Sequence, residues 1–411
     1  MTPPPSPAVE GGAAAAGHGG RRRHVLLFPL PYQGHINPML RLAGVLRARG
    51  FAVTVFHTHF NAPDAARHPE HRFVAVPDGM SGRPPPVSVG DVVKHIRALN
   101  AACEAAFRDR LAAVLAEYSR DAVACLVADA HLLRMSQLDM PVSELPPYRV
   151  RDLMHIGRDG HELMCELLAR AVAAVKLSSG LILNTFDALE AHELAKLRRD
   201  LAVPVFDIGP LHRFSPAADG SLLHQDRSCL AWLDAQTAES VLYVSFGSLA
   251  SMGARELVET AWGIAGSGVP FLWVVRPGLV RGRRAAPGEP TRLLPEGFEA
   301  ATRRRGVVVA WAPQEEVLRH RAVGRFWTHN GWNSTTESLA EGVPMLCRPS
   351  FGDQMGNARY VEHVWKAGFE VVGGELERGA VEEAIRRLMA ESDGGEMRAR
   401  ARELKKAAAE I

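Results

Sequence analysis

The chain repeatedly alternates short apolar runs with segments of helix length, and this alternation constrains its fold more than any other feature. Apolar runs occupy residues 24–30, 51–58 and 122–129, and a helical pattern over residues 37–49 separates the first two. An apolar run without polar alternation is typical of a parallel strand that is buried on both faces. Consecutive parallel strands need a long crossover, usually a helix. The pattern therefore predicts an α/β fold built on parallel sheets.

The alternation occurs twice along the chain, which predicts two domains. A chain of 411 residues exceeds the size at which one hydrophobic core is usual. Residues 211–225 contain several turn residues and little periodicity, and a second series of apolar runs starts at residue 240. We therefore expect two Rossmann-like, doubly wound domains, an N-terminal one over residues 24–210 and a C-terminal one over residues 226–411. Residues 211–225 would link them, and residues 1–23 would form a disordered head.

Composition excludes several classes of function. The net charge of +2 gives no electrostatic reason to expect binding to nucleic acid or to an anionic membrane. The five cysteines are scattered without a CxxC pair, so neither a disulfide framework nor a zinc site is indicated. The N-terminus lacks the pattern of a secretory signal, and no apolar run has transmembrane length. We expect a cytoplasmic monomer that acts on small molecules and needs no metal.

Residues 311–354 combine side chains that suit the parts of a nucleotide sugar. A strand over residues 324–328 would deliver His329 to the carboxyl end of a sheet, where ligands of open α/β sheets bind. The helix that follows would point its N-terminus, a favourable site for a diphosphate, at the same place. Glu337 would share a helical face with Asn333 and would accept hydrogen bonds from ribose hydroxyls. Taken singly, each residue also has a purely structural explanation, and it is their combination that predicts the ligand.

This window resembles the signature segment of plant secondary-product glycosyltransferases, the UDP-sugar-dependent enzymes of glycosyltransferase family 1. The motifs WAPQ, HRAVGRFWTH, GWNS, TTES, EGVPM and DQ stand in the family's register, and Asn330 departs from a position where many members carry Cys. The resemblance implies the two-domain B-type fold. It also implies UDP-glucose as the donor, because a closing glutamine such as Gln354 is associated with glucose in this family. No cofactor beyond this co-substrate is implied.

The resemblance further implies a role for each residue of the donor site. Trp311 would stack on uracil, while Ala312 and Gln314 would border the base and the ribose. Glu337 would hold the ribose hydroxyls. The remaining residues fall into two groups, with His329, Asn333, Ser334 and Ser248 on the phosphate side and Trp332, Asp353 and Gln354 on the sugar.

A second candidate site lies in the N-terminal domain. By itself, His35 in the stretch QGHINP after the first strand is most simply a loop or helix-cap histidine. In the family that this chain resembles, the histidine of this QGHxxP motif is the catalytic base, and an aspartate at the position of Asp129 orients it. The pair would deprotonate an acceptor for in-line attack on the anomeric carbon, which converts UDP-α-glucose into a β-glucoside.

The chain departs from the family at two places. After Asp129 a helix–strand–helix block of roughly 40 residues is missing, so we expect the N-terminal sheet to be incomplete. The chain also stops at Ile411, where relatives usually continue into a helix that crosses back onto the N-terminal domain. These departures leave two hypotheses. One is an inverting glucosyltransferase, and the other is a weakly active or inactive relative that binds UDP-sugar but lacks a complete acceptor pocket.

The acceptor is the least constrained part of the functional prediction. The stretch FGDQMGNARYVEHVWKAGFEV resembles grass enzymes that glucosylate benzoxazinoid hydroxamic acids, and related cytokinin or flavonoid glucosyltransferases. We therefore expect a small plant metabolite that accepts the sugar through oxygen or nitrogen. A nicotinamide-dependent dehydrogenase is disfavoured, because no GxGxxG motif follows any predicted strand.

Overall fold

The computed structural model describes residues 23–80, 89–118, 122–129, 169–214, 222–282, 290–371, 376–390 and 392–411. Within these ranges the fold is α/β with parallel sheets, as the sequence predicts. None of the helices in the described ranges combines the length and the apolar character that a membrane crossing requires.

The N-terminal half is built on a parallel sheet, of which the structure describes four strands. They are β1 (His24–Phe28), β2 (Ala52–Thr58), β3 (Arg72–Val76) and β4 (Val123–Ala128). Their order is β3-β2-β1-β4, and each adjacent pair is parallel. Helix α1 (Gln33–Ala48) connects β1 to β2, and α2 (Val89–Ala116) precedes β4. Because β1 and β4 are neighbours, the start of α1 lies beside the residue that follows β4.

The C-terminal half is built on a larger parallel sheet, of which the structure describes six strands. They are β7 (Val241–Ser245), β8 (Phe271–Val274), β9 (Gly306–Val309), β10 (Val323–Thr328), β11 (Met345–Cys347) and β12 (Gly368–Glu370). Their order is β12-β11-β10-β7-β8-β9, so the direction of winding changes between β7 and β10. The crevice at the carboxyl ends of two such strands is where α/β proteins of this kind bind ligands.

Eight helices of the described residues accompany the larger sheet. They are α5 (Ser228–Asp234), α6 (Ala254–Ser267), α7 (Phe298–Thr302), α8 (Gln314–Arg319), α9 (Trp332–Glu341), α10 (Gln354–His363), α11 (Arg378–Met389) and α12 (Asp393–Ala409). Together with the sheet they enclose two hydrophobic cores. Tyr243 and Phe326 stack at 4.8 Å in one core, and Trp273 and Trp327 are fully buried in the other. Burial of a large apolar side chain stabilises a fold by roughly 1.5–3 kcal/mol, so these cores fix the loops at the carboxyl edge of the sheet.

The edge of the smaller sheet at β4 is only loosely covered. Strands β5 (Leu181–Leu183) and β6 (Val205–Asp207) pair with each other, and α3 (Asp187–Asp200) lies between them in the chain. Within the described residues, no strand pairs with the outer edge of β4, and none of the six β4 residues is buried. This agrees with the predicted interruption of the N-terminal sheet, although residues 130–168, where the interruption was placed, lie outside the described ranges.

The two halves meet near the predicted linker. Its first residues form the short helix α4 (Leu211–Phe214), and the backbone N–H of Leu211 donates to the Asn184 side chain at 3.0 Å. Residues 215–221 of the linker and residues 1–22 of the predicted head lie outside the described ranges. The domain boundaries therefore stay predictions.

Candidate active site

A deep cleft of about 1690 Å³ separates the two halves at the carboxyl ends of their strands. It exceeds the roughly 300–1,000 Å³ that is usual for one small ligand, so it has room for two substrates. All of the residues that the sequence singles out line this cleft. They are His35, Asp129, Ser248, Trp311, Ala312, Gln314, His329, Trp332, Asn333, Ser334, Glu337, Asp353 and Gln354. Their proximity is a structural result, whereas their individual roles stay predictions.

His329 occupies the turn between β10 and α9, in a slot that two glycines make. A Cβ atom on Gly247 would lie 2.4 Å from the imidazole ring, and one on Gly331 would lie 2.6 Å from it. Gly247 also has a φ of +65°, which side chains disfavour. Ser248 follows Gly247 directly, in the loop after β7, and so lies beside the same ring. The slot requires glycine on both sides of His329.

Burial makes His329 an uncharged group. Burial, with a smaller contribution from the nearby Arg276, lowers the pKa of His329 to about 4. At neutral pH the imidazole therefore offers hydrogen bonds and no positive charge. The positive charge lies instead on Arg276, which the sequence analysis missed. Its guanidinium is buried behind the loop after β7 and donates to the carbonyl of Gly247 at 2.6 Å and to that of Ala250.

Asn330 explains how the chain turns from β10 into α9. Its φ of +60° lies in the left-handed region, which asparagine tolerates better than most residues. The buried side chain donates to Cys347 Sγ at 3.1 Å, and the backbone carbonyl of Asn330 accepts from the Asn357 side chain at 2.9 Å. The substitution of asparagine for the family's usual cysteine at this position therefore fits the local backbone.

The N-terminus of α9 faces the cleft but also contacts the opposite half of the molecule. Asn333 donates from Nδ2 to the carbonyl of Gly34 at 2.9 Å. The indole N–H of Trp332 donates to the carbonyl of Asn184 at 2.8 Å. The two side chains predicted to contact phosphate and sugar thus also connect the halves.

A chain of hydrogen bonds fixes the predicted ribose site. Gln314 donates from Nε2 to Glu337 Oε2 at 2.8 Å and to Ser334 Oγ at 3.0 Å. The hydroxyl of Tyr243 donates to the amide oxygen of Gln314 at 3.3 Å, which sets the orientation of the amide. Trp311 and Ala312 lie just before α8, between β9 and this network. The arrangement places a flat ring, an amide and a carboxylate side by side.

Glu337 has one partner that the sequence analysis did not identify. Arg41 of α1 donates from Nη1 to Glu337 Oε1 at 3.1 Å, and its other terminal nitrogen contacts Glu315. Arg41 lies 296 residues from Glu337 in the chain, and no sequence motif joins them. The signal that could have drawn attention to it is a charged residue on the otherwise apolar side of α1.

Asp353 and Gln354 lie at the start of α10, where the cleft narrows. The side-chain oxygen of Gln354 accepts from the backbone N–H groups of Ser350 and Phe351 at 2.9 and 3.1 Å. This leaves its amide N–H groups as donors toward a ligand. Asp353 is accessible from the cleft but protein surrounds it on the other sides, and this desolvation raises its pKa against the hydrogen bond from Asn357 and the charge of His35.

The predicted catalytic pair is assembled in the structure. His35 lies in the first turn of α1, not in a loop before it, and its Nδ1 is 3.3 Å from Asp129 Oδ1. The other carboxylate oxygen of Asp129 accepts from the backbone N–H of Leu30 at 2.8 Å. The neighbouring positions of β1 and β4 bring these residues together. Because Nδ1 faces the carboxylate, the predicted exchange of a proton with a substrate would have to use Nε2.

Comparisons with known proteins identify the family. The sequence profile of the family described as UDP-glucoronosyl and UDP-glucosyl transferase matches residues 164–397. DIMBOA UDP-glucosyltransferase BX8 of Zea mays is 47% identical over 93% of this chain and 94% of its own length. UDP-glycosyltransferase 76B1 of Arabidopsis thaliana is 41% identical over 92% of this chain and 91% of its own. The chain belongs to this family, and the predicted enzyme class, a UDP-glucosyltransferase, is confirmed.

Solved structures agree with the fold. Os79 from O. sativa, in complex with UDP, matches with a TM-score of 0.75 at 28% identity, over 93% of this chain and 95% of that one. A UDP-glucosyltransferase from Polygonum tinctorium matches with a TM-score of 0.78 at 26% identity, over 95% of both chains. The two-domain Rossmann-like architecture of the prediction is therefore confirmed.

The alignment with the maize relative also bears on the missing segment. It spans 437 positions, but 93% of this chain is only about 382 residues. Roughly 55 aligned positions of the relative therefore have no counterpart here. This supports the prediction that the chain lacks internal residues that its relatives possess.

Proposed function

We propose that this protein transfers glucose from UDP-glucose, with inversion at the anomeric carbon, to a hydroxyl or nitrogen of a small plant metabolite. The observation that carries the proposal is the position of the His35–Asp129 pair in the same cleft as the residues of the 311–354 window. A base on one wall and a nucleotide-sugar site on the other provide the two components that direct displacement needs.

The donor would lie along the carboxyl edge of the larger sheet. Trp311 would stack on uracil, with Ala312 beside it, and the Gln314–Glu337 pair would face the ribose. The diphosphate would meet the N-terminus of α9, where the helix dipole favours an anion, although the backbone N–H of Trp332 already donates to Asp353. His329 would add a neutral hydrogen-bonding group there, because its pKa is about 4.

The remaining contacts of the donor would come from three loops. Ser248 and Ser334 carry hydroxyls beside the slot of His329 and would serve the phosphates. Asp353 as acceptor and the Gln354 amide as donor would bind adjacent hydroxyls of the sugar. The identity of the sugar as glucose follows from Gln354 through the family resemblance.

The transfer itself would need one base and no covalent intermediate. The acceptor oxygen gives its proton to His35 Nε2 while it forms a bond to the anomeric carbon, and the bond from that carbon to the UDP oxygen breaks. UDP leaves with the electron pair, and Asp129 stabilises the protonated imidazole through Nδ1. Attack from the side opposite the leaving group gives the β-glucoside.

The acceptor would bind against the N-terminal wall of the cleft. That wall includes apolar side chains such as Val93 and Ile96, together with Tyr32, whose hydroxyl contacts His95 Nδ1 at 2.7 Å. The maize relative is named for DIMBOA, so benzoxazinoid hydroxamates are the first acceptors to test, followed by flavonoids and cytokinins. The sparse cover of β4 favours the second hypothesis, a relative that binds UDP-sugar with little or no transfer.

Calorimetry with UDP and product analysis with an acceptor panel together test the proposal. For His35→Ala we expect unchanged UDP affinity and a loss of transfer of about 10²- to 10⁴-fold, the usual contribution of a positioned base. His192→Ala, an exposed histidine on α3, is the matched control and should change neither. Unchanged transfer by His35→Ala would remove His35 as the base. Binding of UDP by the unmodified protein without product from any acceptor would establish the second hypothesis.

A further inference from the structure

Arg41 reaches across the cleft from the N-terminal half and ends between two carboxylates of the C-terminal half. It lies six residues after His35 on α1, and its partners are Glu337 on α9 and Glu315 on α8. The side chains of Arg41 and Glu337 are only 8% and 6% exposed. A buried ion pair of this kind is very different from an exposed one, because loss of one partner leaves an uncompensated charge inside the protein.

The surroundings of the pair contain other charged groups, and most of them are already engaged. Arg319 pairs with Glu341 at 3.3 Å, and Arg213 donates to the carbonyl of Ala340 at 3.3 Å. His212 is close to Arg41, but burial followed by the charges of three arginines lowers its pKa to about 3, so it is neutral. Among the described residues, Arg41 is thus the cation in direct contact with both carboxylates.

Glu315 and Glu337 are close enough to affect each other. Burial raises the pKa of Glu315, Glu337 raises it further, and Arg41 opposes both effects. Two carboxylates that face each other at a partly buried site without a cation between them favour the uptake of a proton. Arg41 supplies the positive charge that lies between Glu315 and Glu337.

The geometry leaves room for a ligand on Glu337. A carboxylate has about four lone-pair sites, two on each oxygen. Gln314 occupies one site on Oε2, and Arg41 occupies one on Oε1. One site remains on each oxygen, which matches the two adjacent hydroxyls of a ribose.

We propose that Arg41 is a positioning residue for the donor nucleotide: from the opposite half of the molecule, it orients Glu337 for the ribose and supplies the positive charge beside it. This inference rests on the proposed function, since it takes a ribose as the ligand of Glu337. It also implies that donor recognition requires α1 to lie against α9. A second contact between these helices, from Asn333 to the carbonyl of Gly34, lies next to His35. Correct binding of the donor and correct placement of the base would then depend on the same helix.

The test measures UDP affinity by calorimetry between pH 6 and pH 8.5 in Arg41→Met, Arg41→Lys and the unmodified protein. In Arg41→Met we expect UDP to bind at least about 10-fold more weakly at pH 7. The reason is that each unit by which the pKa of a carboxylate rises shifts the equilibrium toward its protonated form by a factor of about ten. The affinity should recover as the pH rises, since the proton held between Glu315 and Glu337 must leave before the ribose binds. Arg41→Lys keeps the charge and should show a pH dependence as flat as that of the unmodified protein. Arg47→Met, an exposed arginine on the same helix, is the matched control and should leave the affinity unchanged.

A double variant separates this role from a merely structural one. Arg41→Met/Glu315→Gln removes the neighbouring carboxylate, so Glu337 should again be ionised, and most of the lost affinity and the flat pH profile should return. The KM for UDP-glucose should follow the UDP affinity in every variant, while kcat should change less. Unchanged affinity in Arg41→Met, or a loss that neither depends on pH nor recovers with Glu315→Gln, would overturn the inference. Failure of the unmodified protein to bind UDP would instead overturn the proposed function.

Discussion

Strands β10 and β4 each run for six residues, and each delivers a predicted site residue at its carboxyl end, but their surroundings are opposite. All six residues of β10, which precedes His329, are buried, whereas none of the residues of β4, which precedes Asp129, is buried. The donor wall of the cleft therefore takes its shape from two closed cores. The wall that carries Asp129 lies at the described edge of the smaller sheet, where β4 pairs with β1 and where Ala124 and Val127 are partly buried against the core of the N-terminal half. The cleft thus joins a strand that is buried throughout to one whose residues are all partly exposed.

Matched leucine truncations test this contrast most directly. Leu346 on β11 is fully buried, while Leu126 on β4 is 40% exposed. We expect Leu346→Ala to lower the free energy of unfolding by about 2–5 kcal/mol, because it leaves a cavity in a closed core. Leu126→Ala should cost less than about 1 kcal/mol, as exposed positions usually do. Urea unfolding followed by tryptophan fluorescence measures both, and similar losses for the two variants would show that β4 is covered in solution.

The glycine-lined slot around His329 predicts that a single added methyl group lowers the free energy of unfolding about as much as Leu346→Ala does. Gly247→Ala should cost about 1–2 kcal/mol for the left-handed backbone and about 1–3 kcal/mol more for the collision with the imidazole. Gly282→Ala is the control, since Gly282 has a φ of +73° but nothing within 4 Å of a new Cβ, and it should show the backbone cost alone. UDP affinity should fall in Gly247→Ala only. Equal thermal shifts for the two variants would mean that the ring moves aside freely.

The lowered pKa of His329 also predicts how stability depends on pH. Its pKa is about 4 in the folded protein, against about 6.5 in an unfolded chain. Between these values the unfolded chain binds the extra proton, so the free energy of unfolding should fall as the pH falls from about 6.5 to 4, by up to roughly 3 kcal/mol. His212 has a lowered pKa as well and adds a change of the same sign.

Substitution of His329 measures how much of the pH dependence of the free energy of unfolding this residue causes. His329→Asn should flatten the stability profile between pH 4 and 6.5 relative to the unmodified protein, while the contribution of His212 remains. His192→Asn, at an exposed position on α3, should leave the profile unchanged. Parallel profiles for His329→Asn and the unmodified protein would show that folding does not lower the pKa of His329.

The contrast between the two walls also explains how much of the molecule the sequence predicts. Apolar runs predict strands, so the alternation that leads to His329 is clear from the sequence. The pairing of His35 with Asp129 follows from the family resemblance, and the structure accounts for it, because β1 and β4 are neighbouring parallel strands whose carboxyl ends meet. That all the candidate residues line one cleft is a structural result.

Other contacts depend on how the halves meet, and local patterns carry no information about that. Arg41 meets Glu337, and the Trp332 indole meets the Asn184 carbonyl, only because α1 and the chain after β5 lie against α9. Arg276 was missed for a related reason. Its partners are backbone carbonyls, which have no sequence signature. The left-handed turn at Asn330 was likewise not predicted, although asparagine was a signal for it.

The left-handed turn at Asn330 gives the smallest of the expected effects. It is best tested by asking whether the alanine or the glycine variant is the more stable. At an ordinary helical position alanine is more stable than glycine by about 1 kcal/mol, and this order should hold at Asn100, an exposed residue in α2. At Asn330 the order should reverse, because the φ of +60° costs alanine about 1–2 kcal/mol and glycine nothing. Both substitutions lose the bond to Cys347, so that loss cancels in the difference. Thermal unfolding of Asn330→Ala and Asn330→Gly measures it. The same order at both positions would mean that the turn relaxes, and the donor wall would then be less rigid than its buried strand suggests.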